Sequence, residues 1–161
     1  MKVRKIACDL AASPLCDVDF ADSYALSIGK PMTARDAAFV ALGRMPPWVR
    51  GLMALRNLIV LPLGLKHDSR QFADQTAFVG AFPVVSETPG RVVLGFDDRH
   101  LDFRVTIDVR RAKGDGMSAA TEVVASTWVR THNRLGRVYL ACVMPFHNLI
   151  VPTALRQLRP Q

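Results

Sequence analysis

The sequence predicts an α+β fold in which an antiparallel sheet is followed by a long C-terminal helix, and three observations lead there. Residues Leu101 to Arg111 alternate apolar and polar side chains without a break, the period-two pattern of a strand with one covered face. Segments rich in Val, Phe, Thr and Ile are parted by Glu87-Thr88-Pro89-Gly90, Asp97-Asp98-Arg99 and Ala112-Lys113-Gly114-Asp115-Gly116, each with turn chemistry. After Asn133, the apolar residues Leu135, Val138, Tyr139, Cys142, Phe146, Leu149 and Ile150 recur at helical spacing.

Bulk properties bound the fold. A chain of 161 residues, 50% apolar and 22% charged, suits one packed domain over residues 1–161, with 1–16 as a loosely ordered N-terminal arm. Basic residues outnumber acidic ones by 21 to 14, for a net charge of +7. They are mostly single arginines without an accompanying motif, so they read as a solvated surface and nucleic acid is not an expected partner. Cys8, Cys16 and Cys142 form no C-x-x-C and have no paired histidine, so neither a metal nor a cofactor is predicted. Reduced thiols fit a cytoplasmic protein. The basic start runs into an apolar stretch that Asp9 breaks too early for a signal peptide.

The elements follow in order. Phe20 to Ile28 reads as a first strand, stopped by Gly29-Lys30-Pro31. Thr33 with Asp36 three residues on forms a near capping box before the apolar run Ala37 to Leu42, and Gly43 closes that helix. A second helix starts at Met45-Pro46-Pro47-Trp48, carries Trp48, Leu52, Leu55 and Ile59 on one face, and ends at Pro62 and Gly64. Trp48 reads as a packing anchor. Residues 66–75 form a polar loop. Four meander strands then span 78–85, 91–96, 100–111 and 117–131. Alternation puts Leu101, Phe103, Val105, Ile107 and Val109 on a dry face, joined by Ala119, Thr121, Val123, Ala125, Thr127 and Val129. Asp102, Arg104, Thr106, Asp108, Arg110, Glu122, Ser126, Trp128 and Arg130 fall on the wet face.

The last helix has no formal charge from Val138 to Leu155, about the minimum for a membrane span. Pro145, His147, Asn148 and Pro152 favour a buried core helix instead, with a kink at Pro145.

Strand, two helices, meander and long helix is the order of the helix-grip fold, in which a curved antiparallel sheet wraps the last helix. Particular stretches carry a closer resemblance: Pro47-Trp48-Val49-Arg50 with Leu55-Arg56, the run Gly95 to Arg104 (GFDDRHLDFR), and Arg130 to Leu140 (RTHNRLGRVYL) with Pro145-Phe146-His147. From about Asp19 onward, the chain resembles a bacterial family known as domain of unknown function 2867. That family is similar to the START and Bet v 1-like superfamily of hydrophobic-ligand binders. The resemblance implies a ligand cavity between sheet and helix, and it carries no catalytic residues.

The candidate cavity lining is Tyr139, Cys142, Phe146, His147, Phe103, Thr121, Thr127 and His132. Small inward residues such as Thr121, Ala125 and Thr127 leave space opposite the helix, although a close-packed interior gives the same pattern. Polar Tyr139 and His147 are suited to orient an apolar ligand; a hydrogen-bonded core histidine is the simpler reading of His147. Thr131 or Asn133 fits a helix cap, and His132 a cap neighbour or a polar anchor at a cavity mouth. His100, Asp102 and Arg104 read as surface pairing, with Glu122 and Ser126 as cross-strand neighbours. A small hydrophobic ligand is therefore the leading expectation. The alternatives are a cyclase- or hydratase-like enzyme using His132, His147 or Tyr139 as acid or base, and a membrane-surface protein. The last would use Trp48 to Leu65 or the arginine-flanked final helix.

Overall fold

The computed structural model describes residues 2–43, 77–80, 82–111 and 121–159, together with the isolated positions Pro47 and Gly51. Its elements are β1 (Arg4–Ile6), a 3-10 turn (Leu10–Ala12), β2 (Phe20–Ile28), α1 (Ala34–Gly43), β3 (Phe78–Val79), β4 (Phe82–Thr88), β5 (Arg91–Asp97), β6 (Leu101–Arg111), β7 (Thr121–Thr131) and α2 (Arg134–Arg156). The strands form one seven-stranded antiparallel sheet in the order β1-β2-β7-β6-β5-β4-β3. The last strand thus lies inside the sheet, between β2 and β6.

Local chemistry explains the main boundaries. Gly29 ends β2, and Thr33 opens α1 by accepting from Asp36 N at 3.1 Å while its hydroxyl donates to Asp36 Oδ2 at 2.7 Å. Alanines 34, 37 and 38 let α1 approach the sheet closely, where they pack with Leu26, Ile28, Leu94 and Ile107. Register pairs Phe103 with Val129, Val105 with Thr127 and Ile107 with Ala125, so the alternation of β6 and β7 defines one common face.

The structure corrects several expectations. Residues 78–85 are not one strand: Gly80, at φ 61°, reverses the chain between β3 and β4. The N-terminal arm contributes β1, which pairs Arg4 with Ala25 and Ile6 with Ser23. The face predicted to be wet is largely covered, with Thr106, Glu122, Ser126 and Trp128 all buried. Arginines and the N-terminal segment close over it: Arg4 Nη2 and Arg110 Nε hold Glu122 at 2.7 and 2.9 Å, and Arg91 Nη2 donates to Ala12 O at 3.3 Å. The final helix runs unbroken through Pro145 and Pro152, and only Gly136, Ala154 and Leu155 are buried along its 23 residues. It is an apolar helix seated on the sheet through one side, not a buried core helix. Apart from Gly51, the helix expected from Trp48, the segment Trp48 to Leu65, the loop 66–75 and Ala119 lie outside the described residues.

Candidate functional site

The helix α2 is pinned near its two ends, while its middle crosses β2 and β7 with Tyr139, Val143, Phe146, His147 and Ile150 only half-buried. Beneath it, the register sets Asp22 opposite Thr127 and Tyr24 opposite Ala125. Here a polar cluster interrupts an otherwise apolar layer. His147 Nε2 lies 3.0 and 3.1 Å from the two oxygens of Asp22, whose side chain is 2% exposed against 12% for the histidine. A carboxylate has no proton to give, so Nε2 carries the hydrogen and donates it. Lys5 on β1 adds a cation 4.0 Å from Asp22 Oδ2 and 5.6 Å above the Tyr24 ring. Phe20 meets the His147 ring edge-on at 5.8 Å, and Tyr24 Oη donates to Asn148 Oδ1 at 3.2 Å. Burial, and next the Asp22 charge, push the Tyr24 phenol above its usual range.

This arrangement fixes the imidazole ring and its tautomer through Nε2. No partner for Nδ1 is found among the described residues, which leaves that nitrogen as the ring's free acceptor. The cluster offers a bound molecule a hydrogen-bond acceptor and a masked negative charge, set among apolar side chains.

The structure brings only part of the predicted lining together. Thr127 is buried beside Asp22, and His147 belongs to the cluster. Tyr139 and Phe146 are half-buried on the same helix. Cys142 is exposed. Phe103 stands on the common face farther along the sheet, tilted between Phe82 and Phe96 with ring centroids at 5.7 and 5.5 Å. Thr121 sits at the start of β7, between Ile28 and Arg111. His132 bonds Asp102 through Nε2 at 2.9 Å, and Asp102 belongs to the opposite face of the sheet. Asp22, Tyr24 and Lys5 were missed. The signal for Asp22 was present, since it shares the parity of Phe20, Tyr24, Leu26 and Ile28 in a strand whose inward positions are otherwise apolar.

A second cluster joins the chain at the start of α2. Asn133 caps the helix, its Oδ1 accepting from Gly136 N at 3.0 Å. Its side-chain amide lies 2.9 Å from His100 Nδ1, and His132 N donates to His100 O at 2.9 Å. Asp19 accepts from Thr131 N and Oγ1 at 2.6 and 2.7 Å, which holds its carboxyl below the usual range. The neighbours expected for Asp102 are displaced: register sets it against Arg130, while Glu122 and Ser126 face Arg110 and Thr106. These contacts fasten strand to helix, and they leave little for a ligand to use.

A cavity of about 220 Å³ lies on the other face of the sheet, under the segment 6–12 and lined in part by Ser23, Ser126 and Trp128. Of its walls, Arg91 pairs with Asp108 and Arg110 with Glu122, while the buried Trp128 Nε1 has no hydrogen-bond partner among the described residues. Among the described residues no three His, Cys, Asp or Glu side chains converge as metal ligands would.

Residues 15–154 match the model of the family described as "Protein of unknown function (DUF2867)". The chain belongs to that family. The match takes in the sheet from β2 to β7 and α2 as far as Ala154, and so includes both Asp22 and His147. The family's description names no activity. No curated protein matches the chain. Among solved structures, the chain is similar to the human StarD13 (DLC2) lipid transfer and protein localization domain at 6% identity, with 88% of this chain and 78% of that chain covered and a TM-score of 0.26. A likeness that loose carries no argument about fold or ligand.

Proposed function

We propose that the domain has the helix-grip architecture and binds a small hydrophobic or amphipathic molecule between the sheet and α2. The observation that carries this reading is the Asp22–His147 pair, set beneath a helix whose middle is only half-buried. A purely structural core has little reason to place a carboxylate there, since a buried charged group, even when hydrogen-bonded, seldom stabilises more than apolar packing of the same volume. An oriented imidazole among apolar side chains is the usual form of a ligand anchor: the apolar walls supply affinity and the polar group sets orientation. The small side chains of Thr127 and Ala125 leave room above the floor, and Tyr139 and Phe146 supply apolar walls.

The same pair favours a second reading. A carboxylate that holds one ring nitrogen leaves the other able to take a proton from a bound molecule, the acid–base role of a small cyclase- or hydratase-like enzyme. Binding must precede it, so one experiment serves first. Titration with cis-parinaric acid, a fluorescent fatty acid, is expected to saturate at one molecule per chain. Asp22→Asn and His147→Gln should each weaken it by about tenfold, the scale of one lost oriented hydrogen bond. Folded wild-type protein with no saturable signal would remove the proposal.

A further inference from the structure

The outward side of α2 presents an unusual combination. Val138, Ala141, Cys142, Pro145 and Leu149 recur at helical spacing and are all exposed, Val138 by 57% and Leu149 by 60%. No formal charge occurs from Val138 to Leu155, while Arg134 and Arg137 stand before this stretch and Arg156 and Arg159 after it. Among the described residues none of these four arginines has a carboxylate within 4.0 Å. Two of them occupy the first turn of α2, which carries no acidic residue. Cations there oppose the positive end of the helix dipole, a cost that the Asp19 carboxylate, which interacts with Arg137, offsets only in part. An external anion would reverse that cost.

We infer that this face lies on an anionic lipid surface, with the apolar stripe in the headgroup–acyl boundary and the arginines at both ends on lipid phosphates. The charges argue against a second copy as the occupant. Antiparallel pairing of two such faces sets Arg134 and Arg137 against Arg156 and Arg159, and parallel pairing sets each pair against itself. Among acidic residues, Glu122 is the last in the chain, and Arg4 and Arg110 already hold it. The stripe has no aromatic anchor of the kind that dominates protein interfaces, whereas a bilayer needs only an apolar face with cations beside it. The helix lies along the surface and does not cross it, because Gly136, Ala154, Leu155 and His147 tie its other side to the sheet. This inference does not depend on the interior being a ligand site.

The exposed Cys142 supplies the test. An environment-sensitive fluorophore is attached there in a Cys8→Ala, Cys16→Ala background. Vesicles of phosphatidylglycerol with phosphatidylcholine should shift its emission to the blue, and phosphatidylcholine alone should not. The shift should weaken with added salt, because exposed charges are screened. Val138→Glu and Leu149→Glu, at positions too exposed to unfold the domain, should each weaken vesicle binding by about tenfold, as should replacing the four arginines by glutamine. Leu10→Glu, at a residue 65% exposed on the 3-10 turn, should leave binding unchanged. No shift with anionic vesicles at low salt would overturn the inference. So would a loss in Leu10→Glu equal to that in Leu149→Glu, or a dimer in solution that Leu149→Glu dissolves.

Discussion

Asp22 on the first long strand and His147 in the middle of the last helix meet through a hydrogen bond of 3.0 Å across 125 positions of sequence. The contact joins the sheet to the helix where neighbouring helix residues are half-buried or exposed. It therefore holds the helix in place and marks the polar point of the proposed site.

Removing the imidazole should leave the carboxylate of Asp22 buried, with Lys5 at 4.0 Å and the Tyr24 hydroxyl beside it. His147→Ala is expected to cost about 3 kcal/mol, the scale for breaking one side of a buried pair. His147→Gln, which keeps a donor, should cost less. Urea unfolding monitored by circular dichroism measures both, and an unchanged midpoint for His147→Ala would show the pair to be idle.

Two groups should shape the dependence of stability on pH, on opposite limbs. The Asp19 carboxyl is lowered by its bonds from Thr131, backbone first and hydroxyl second. Its contribution is present above the ordinary carboxylate value of about 4 and is lost as pH falls through the folded value. The Tyr24 phenol is raised by burial and then by Asp22. Its contribution is present below its ordinary value of about 10 and is lost as pH rises through the folded value. Asp19→Asn should flatten the acid limb and Tyr24→Phe the alkaline limb in denaturation midpoints. A wild-type profile left intact by both substitutions would contradict these assignments.

Gly136 is where the strand–helix junction is tightest. A Cβ there would lie 2.1 Å from His100 O, whereas one at Gly29 would meet nothing within 4 Å. Gly136→Ala is expected to destabilise by about 2–4 kcal/mol and Gly29→Ala by less than about 1 kcal/mol, read from thermal melts. Equal effects at the two positions would show that the junction yields easily.

Much of the fold was legible because its signals are local. Gly29 ends β2 where the sequence placed its end, the alternation of Leu101 to Arg111 fixed which side chains share a face, and Asn133 caps the helix it precedes. What was missed depends on distant pairing. The burial of Glu122, Ser126 and Trp128 follows from cover by the N-terminal segment, which in sequence read as a loose arm. The division of 78–85 turns on one glycine at positive φ. For the site, the polar residues of the helix were visible, but Asp22 had no local motif, and its partner is fixed only by the sheet order β2-β7 and the helix lying across it.

The central claim is that molecules bind where Asp22 and His147 meet, between sheet and helix. Nitrogen-15 NMR of the His147 ring during titration with decanoate tests it most directly. The account predicts that the ring resonances of His147 shift and saturate together with backbone amides in β2, β7 and the middle of α2. Ring resonances that stay fixed while other shifts saturate, or a titration in which nothing saturates, would contradict it.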